Sequence, residues 1–410
     1  MSTTPEPFIG EFWRGVRRRV EEASTTPAIA YTSPAFFAAE QSAVFDSAWV
    51  GVACLDELSG SGTVLVRSVG TRSVLITRDK EGTLHGFLNA CRHRGTELLP
   101  ADTDGLSMIR CPYHRWGYGL DGTLVATPRF TDVAVEDFDP NDYPLKRVRV
   151  DTFAGLVFAN LDLTTAPLQE WFGDLGERLA GYGLQGWTVR ESTTVEIQAN
   201  WKLLSENFQE YYHLTWVHPE LAKVSRVKDH YRWQGPGMYC GQTTTPVSGD
   251  DRSDWLAMPP APNLDSGDAT SGRFLALFPN VLLSVLPNHA FVIQLEPLAP
   301  GITRERCTWL LPSSSHAVSD DAFNLTRDFW VLVNNQDIDI CERSQRGQER
   351  GGFTEGRYAV RFEEPLHRFA NMLADRFDRI ERIPPGDDKF SARRFGDGDP
   401  TTPGVAARQR

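Results

Sequence analysis

Two short runs hold the most specific chemical signal in this chain, Asn89-Ala-Cys-Arg-His-Arg-Gly95 and Arg110-Cys-Pro-Tyr-His-Arg-Trp-Gly-Tyr118. They place Cys91-x-His93, then seventeen intervening residues, then Cys111-x2-His114. Two loops that each offer one thiolate and one imidazole suit a metal centre with mixed sulfur and nitrogen ligands. A structural zinc site is one candidate, but such sites usually pair Cys with Cys and His with His along the chain. The alternation fits better a [2Fe–2S] cluster in which two His replace two Cys on one of the irons, each loop serving both metals. Simple core packing is the remaining alternative, and Arg92, Arg94 and Arg115 are poor neighbours for a dry core.

A second constellation lies in Asn200-Trp-Lys-Leu-Leu-Ser-Glu-Asn-Phe-Gln-Glu-Tyr-Tyr-His-Leu-Thr-Trp-Val-His218, with His213 and His218 five apart and Glu210 three before the first. On an intact helix a five-residue step is rotated about 140° from alignment, so both rings meet one metal only if the helix ends or loosens after His213. Pro219 supports such a break. A His pair of this kind is often an ordinary surface or core feature. A 2-His-1-carboxylate triad, which leaves positions on Fe(II) open for O2 and substrate, also needs a carboxylate from elsewhere. The run Asn335-Gln-Asp-Ile-Asp-Ile-Cys-Glu342 offers Asp337 and Asp339. At helical spacing Asp337 shares a mostly apolar stripe with Trp330, Val333, Ile340, Cys341 and Ser344, whereas Asp339 falls among Asn335, Glu342, Arg343 and Arg346. Asp337 is therefore the expected third ligand, with Asp339 the alternative.

The elements that must position these groups follow from length and pattern. The chain has 410 residues, more than one core usually serves, so two domains are expected. Hydrophobic residues make up 40% and charged residues 23%, with no apolar run long enough to span a membrane and no secretory leader pattern, which predicts a soluble cytoplasmic protein with no membrane partner. A net charge of −12 argues against nucleic acid, and six Cys are too few for a disulfide scaffold. Residues 1–46 read as an N-terminal helical segment, with a helix over Pro7–Ala23 whose basic cluster Arg14–Arg19 is expected to be a solvated face. Residues 47–163 read as a small all-β domain with strands at Val64–Val69, Ser73–Arg78, Leu106–Arg110, Leu124–Thr127 and Ala154–Asn160. Residues 164–385 read as an α+β domain. Its expected helices are Gln169–Tyr182, one around Trp201–His213, and Asp320–Gly347; its strands are Arg273–Phe278, Val281–Leu286 and Phe291–Pro297. The Ser/Pro/Gly/Asp-rich stretch Thr243–Gly272 reads as a long loop suited to covering a pocket, and residues 386–410 as a tail.

Cys91-Arg-His-Arg-Gly and Cys111-Pro-Tyr-His-Arg-Trp resemble the cluster loops of Rieske oxygenases, and Thr96 and Tyr113 stand where respiratory Rieske proteins carry an extra disulfide pair. With Asn-Trp-Lys-x3-Glu-Asn-Phe-x-Glu-x2-His-x4-His and the Asp-x-Asp-x2-Glu run, the chain is similar to the large (α) subunit of Rieske non-haem iron oxygenases. The resemblance implies an N-terminal all-β Rieske domain and a C-terminal helix-grip domain, an antiparallel sheet around a helix. It implies a cluster on Cys91, His93, Cys111 and His114, and iron on His213, His218 and Asp337. It also implies a homotrimer in which Glu210 matches an acidic residue bridging to a cluster His of the neighbouring subunit. A chain lacking a Gly-x-Gly-x-x-Gly fingerprint is expected to draw NAD(P)H electrons through a separate flavin/iron-sulfur reductase. The single residue between Phe208 and Glu210 is closer to choline, carnitine and glycine-betaine monooxygenases than to ring-dihydroxylating enzymes, so hydroxylation or N-demethylation of a quaternary ammonium compound is expected. An aromatic-ring dioxygenase is the alternative. For a cationic small molecule an aromatic cage is expected, with Phe208, Tyr211, Tyr212 and Trp216 as candidates. His289 resembles a family position at a strand end; it is placed by the pocket and is expected to complete a hydrogen-bond network rather than bind metal.

Overall fold

The computed structural model describes residues 8–245, 258–313, 318–382 and 385–386. The chain divides into two compact units, residues 45–168 and a second unit of residues 1–44 with 169–410.

The smaller unit is built on antiparallel strands. Six form one sheet in the order Val50–Cys54, Leu156–Asn160, Arg147–Phe153, Leu84–Leu88, Arg72–Arg78, Val64–Val69. A three-stranded sheet of Ile109–Arg110, Gly117–Tyr118 and Leu124–Ala126 carries the second Cys-His loop. The expected strand Leu106–Arg110 shrinks to its last two residues, and Leu106 donates its N–H to the Gly62 carbonyl of a distant segment instead of entering the ladder. Phe87, Leu98, Ile109, Trp116 and Tyr118 make a core in which Cys91 and Cys111 are also buried.

In the larger unit a seven-stranded antiparallel sheet runs Trp187–Ile197, Ile302–Pro312, Ala290–Ala299, Val281–Val285, Gly272–Leu277, Tyr239–Thr244, His230–Arg232. Helices Trp201–Gln209, Asp320–Glu349 and Val360–Asp378 complete the helix-grip domain, the last of these buried over most of its length. Each of the first two begins on a side-chain cap, Asn200 Oδ1 accepting from Lys202 N and Ser319 Oγ from Ala322 N.

The N-terminal segment belongs to this second unit, and it is not the expected helix. Gly10 sits at φ +51°, outside the helical basin, which bars a continuous helix through it; a short 3-10 turn, Gly10–Trp13, forms, followed by irregular turns. Its basic cluster is not wholly solvated either: Arg17 reaches Asp375 at 2.7 Å and Asp378 at 2.6 Å. Further along, Glu40 and Lys202 form a fully buried ion pair at 2.8 Å. The expected helix Gln169–Tyr182 is interrupted at Gly173, φ +55°, into Leu168–Phe172, Leu175–Leu179 and a 3-10 turn. The centre of the expected Thr243–Gly272 loop, residues 246–257, and the tail 387–410 lie outside the described residues.

Candidate functional site

The two Cys-His loops share one backbone design. In the first, Cys91 C=O accepts from Gly95 N and Cys91 N donates to Thr96 O, both 2.8 Å; in the second, Cys111 C=O accepts from Arg115 N at 3.1 Å and Cys111 N donates to Trp116 O at 2.8 Å. The fifth residue of each loop needs a left-handed backbone, supplied by Gly95 at φ +75° and by Arg115 at φ +64°. The loops bring the His93 and His114 rings within 4.8 Å of each other, with His93 stacked on Trp116. Both Nδ1 atoms are buried and have no hydrogen-bond partner among the described residues. Both Cys are buried free thiols. Burial pushes the Cys91 thiol up, and burial followed by the charge of its neighbours pushes His93 down, so in the protein alone both stay neutral. Two buried thiols and two orphaned imidazole nitrogens are a donor set that fits a [2Fe–2S] cluster with two His on one iron. Tyr118 was not singled out by the sequence; its Oη lies 3.3 Å from Cys91 Sγ and accepts Arg92 N–H at 3.0 Å.

In the larger unit the helix that carries the second motif stops earlier than expected, at Gln209, and Glu210 is extended at φ −118°, ψ 166°. His213 then caps a single turn, Leu214–Val217, and His218 sits at φ −119°, ψ 67° before helix Pro219–Val224. This interrupted backbone is what lets residues five apart converge. Their Nε2 atoms are 3.1 Å apart, and Asp337 Oδ1 lies 2.8 Å from His218 Nε2 and 3.5 Å from His213 Nε2. All three ligand atoms fall within 4.8 Å of one another. Two donors about 2.1 Å from one ion and at right angles would be about 3 Å apart, so the spacing fits a divalent metal. Asp339 points away and pairs with Arg343 at the surface.

The far side of each imidazole is also fixed. His213 Nδ1 is 2.5 Å from Glu210 Oε1, and His218 Nδ1 is 2.7 Å from Gln336 Oε1, an arrangement that directs both Nε2 atoms at the metal position. Glu210 also accepts from the backbone of Tyr212 and His213, and Asn207 Nδ2 donates to Asp337 Oδ1 at 2.5 Å. Burial opposes the charged form of His213, but the Glu210 hydrogen bond and the nearby carboxylates outweigh it and raise its pKa. Gln336 is a residue that sequence reasoning left without a role; only its side-chain direction reveals one.

A cavity opens beside the triad, walled largely by Phe208, Phe274, Phe291, Trp330, Leu214 and Val333. Phe208 and Tyr211 line it, but three other expected pocket residues do not. Because the helix ends at Gln209, Tyr212 turns outward to stack on Phe362, and Trp216 is 75% exposed. His289 is buried behind the wall, where its Nε2 accepts the Trp330 indole N–H at 2.7 Å and its Nδ1 faces Asn288 Oδ1 at 2.7 Å. The walls come from residues 274, 284, 291, 293 and 330, which no local motif links.

Comparison with known proteins agrees with this reading. Residues 48–139 match the Rieske [2Fe–2S] domain and residues 184–379 match the ring-hydroxylating alpha subunit catalytic domain, well over half of the chain together. The glycine betaine monooxygenase oxygenase subunit of Chromohalobacter salexigens is 29% identical over 381 residues, covering 84% of each chain. The carnitine monooxygenase oxygenase subunit of Escherichia coli K12 is 26% identical over 368 residues, 87% of this chain and 95% of that one. A solved quaternary ammonium Rieske monooxygenase superposes with TM-score 0.77 at 25% identity, covering 92% of this chain and 99% of the other. An all-β cluster domain joined to a helix-grip domain with a convergent His-His-Asp site defines an iron-dependent oxygenase. The chain belongs to the Rieske non-haem iron oxygenases, as a large (α) subunit. It is an oxidoreductase that uses a [2Fe–2S] cluster and a mononuclear iron, takes electrons from a partner reductase, and hydroxylates a C–H bond of a small molecule with O2. Among the described residues no helix is long and apolar enough to cross a membrane.

Proposed function

We propose that this chain is the oxygenase component of a system that oxidises an N-methyl or neighbouring C–H bond of a quaternary ammonium compound. The observation that carries the proposal is the aromatic wall, in which Trp330 lies 5.8 Å from Phe291 and 6.1 Å from Phe274, next to the His213, His218 and Asp337 cluster. Aromatic faces attract a desolvated cation by about 0.5–2 kcal/mol each, which holds a trimethylammonium group without fixing its rotation. Relatives that share most of this chain's length are named for glycine betaine and carnitine.

In this reading Cys91, His93, Cys111 and His114 hold the cluster, and His213, His218 and Asp337 hold the iron. When bound, the iron supplies the activation of O2 that puts oxygen into the C–H bond. Glu210 and Gln336 keep both His rings in the tautomer that presents Nε2, and Asn207 orients the Asp337 carboxylate. The apolar wall excludes water around the reacting carbon. A hydroxylated N-methyl group of a quaternary ammonium compound is a hemiaminal, and it collapses to the tertiary amine, formaldehyde and a proton. We further infer a cytoplasmic homotrimer in which electrons cross a subunit boundary beside Glu210.

Formaldehyde release and oxygen uptake, measured with a surrogate reductase on choline, glycine betaine, carnitine and aromatic acids, test the proposal. Formaldehyde or a hydroxylated amine is expected. A cis-diol from an aromatic acid with no amine turnover would overturn it.

A further inference from the structure

The polar side chains lining the cavity are, with one exception, engaged with each other or with their surroundings. Asn207 donates to Asp337 and Asn334 donates to Glu305. Ser225 Oγ lies 2.7 Å from His230 Nε2, His230 Nδ1 lies 2.8 Å from Gln242 Oε1, and Gln242 Nε2 donates to Glu210 O at 3.1 Å. The exception is Ser284. Its side chain is 0% exposed, its Oγ has no hydrogen-bond partner among the described residues, and it lines the cavity.

Its place in the sheet says which end of the cavity it serves. Cross-strand register puts Gln242, Phe274, Ser284, Phe291 and Trp309 in one row, so Ser284 stands between the two phenylalanines that touch Trp330. Trp330 and Asp337 are seven residues apart on one helix, roughly 10 Å along its axis. A hydroxyl with no partner in an apolar wall is costly, and a bound group that accepts its proton would remove that cost.

We propose that Ser284 is a specificity-determining residue that donates a hydrogen bond to a substrate oxygen held at the same aromatic wall as the ammonium group. The inference rests on the quaternary ammonium reading above and narrows it: the preferred substrate is an ammonium compound that also carries a carboxylate or hydroxyl oxygen. An alkylammonium of similar length without oxygen leaves the Ser284 hydroxyl buried and unpaired.

The test compares KM for γ-butyrobetaine, choline and n-butyltrimethylammonium in the holoenzyme and in Ser284→Ala and Ser284→Thr, with substrate-dependent oxygen uptake as readout and formaldehyde or hydroxylated amine as the product check. In Ser284→Ala the ratio of KM for the oxygen-bearing amine to KM for the alkylammonium should rise about fivefold to tenfold, the span of one hydrogen bond. Ser284→Thr, which keeps the hydroxyl, should hold the ratio near the wild-type value. Whichever of γ-butyrobetaine and choline responds identifies the oxygen as carboxylate or hydroxyl. Cluster absorbance and iron content, matched to wild type, establish that the variants fold. A ratio that moves less than twofold in Ser284→Ala, or equally in Ser284→Thr, overturns the role of Ser284 alone. No turnover of any of the three amines by the wild type overturns the substrate reading, and this inference with it.

Discussion

His289 provides a quantitative check on how the cavity wall is built. It is fully buried and faces no charged partner; burial alone pushes its pKa down from an ordinary 6.5 to about 3. Its Nε2 must stay unprotonated to accept the Trp330 indole N–H at 2.7 Å. A group depressed in this way contributes stability that is complete above its unfolded pKa and is lost as pH falls through 6.5 toward 3. Between pH 7 and 5 the unfolded chain binds nearly one proton here and the folded chain almost none, which costs about 2 kcal/mol. Glu206 acts in the opposite sense. Burial raises it to about 7, so its contribution is full below pH 4.5 and disappears as pH rises through 7. From pH 7 to 5 it returns about 2 kcal/mol, so the two groups nearly cancel in the wild type. His289→Gln removes only the acid-labile arm while keeping an acceptor for Trp330. On acidification from pH 7 to 5, its melting temperature, followed by circular dichroism, should rise about 4–8 °C relative to the wild-type change. Glu206→Gln should shift the other way. If the two profiles run parallel between pH 7 and 5, His289 is not held neutral and the account of the wall is wrong.

Three further outcomes are expected. Asp337→Ala should lose mononuclear iron by metal analysis while keeping the cluster's visible absorption, whereas Asp339→Ala, which removes only a surface pair with Arg343, should keep both. Lys202→Met leaves Glu40 buried without its partner and should destabilise the larger unit by about 3–5 kcal/mol in denaturant titrations, a loss that adding Glu40→Gln should largely recover. Tyr118→Phe deletes the hydroxyl 3.3 Å from Cys91 Sγ and should lower the cluster midpoint potential by about 20–60 mV in a redox titration; an unchanged potential would refute a Tyr118 hydrogen bond to cluster sulfur.

The candidate ligand sets were legible in the sequence because metal ligation restricts both residue type and spacing. The Cys-x-His and Cys-x2-His loops, the His pair and the helical stripe that turns Asp337 inward are local patterns, and they led to the family and to both metals. Strands with a clear β run, such as Val64–Val69, and the long helix Asp320–Glu349 were legible for the same reason.

What only the tertiary structure decided is how distant segments meet. Strands Trp187–Ile197, Tyr239–Thr244 and Ile302–Pro312 carry Arg, Glu, Gln and Thr in place of a clear apolar run, and they become strands through antiparallel pairing, Trp187–Ile197 with the distant Ile302–Pro312 and Tyr239–Thr244 with Gly272–Leu277. The helix break at Gln209 cannot be read from composition, since nothing between Trp201 and His218 forbids a helix, yet it turns Tyr212 and Trp216 outward. The cavity wall is assembled by cross-strand register from residues in separate strands and a helix, and register is a property of the packed sheet. Sequence alone thus determined which metals this protein holds, and folding decided what stands opposite them, because ligation is set by neighbours in the chain and a cavity by neighbours in space.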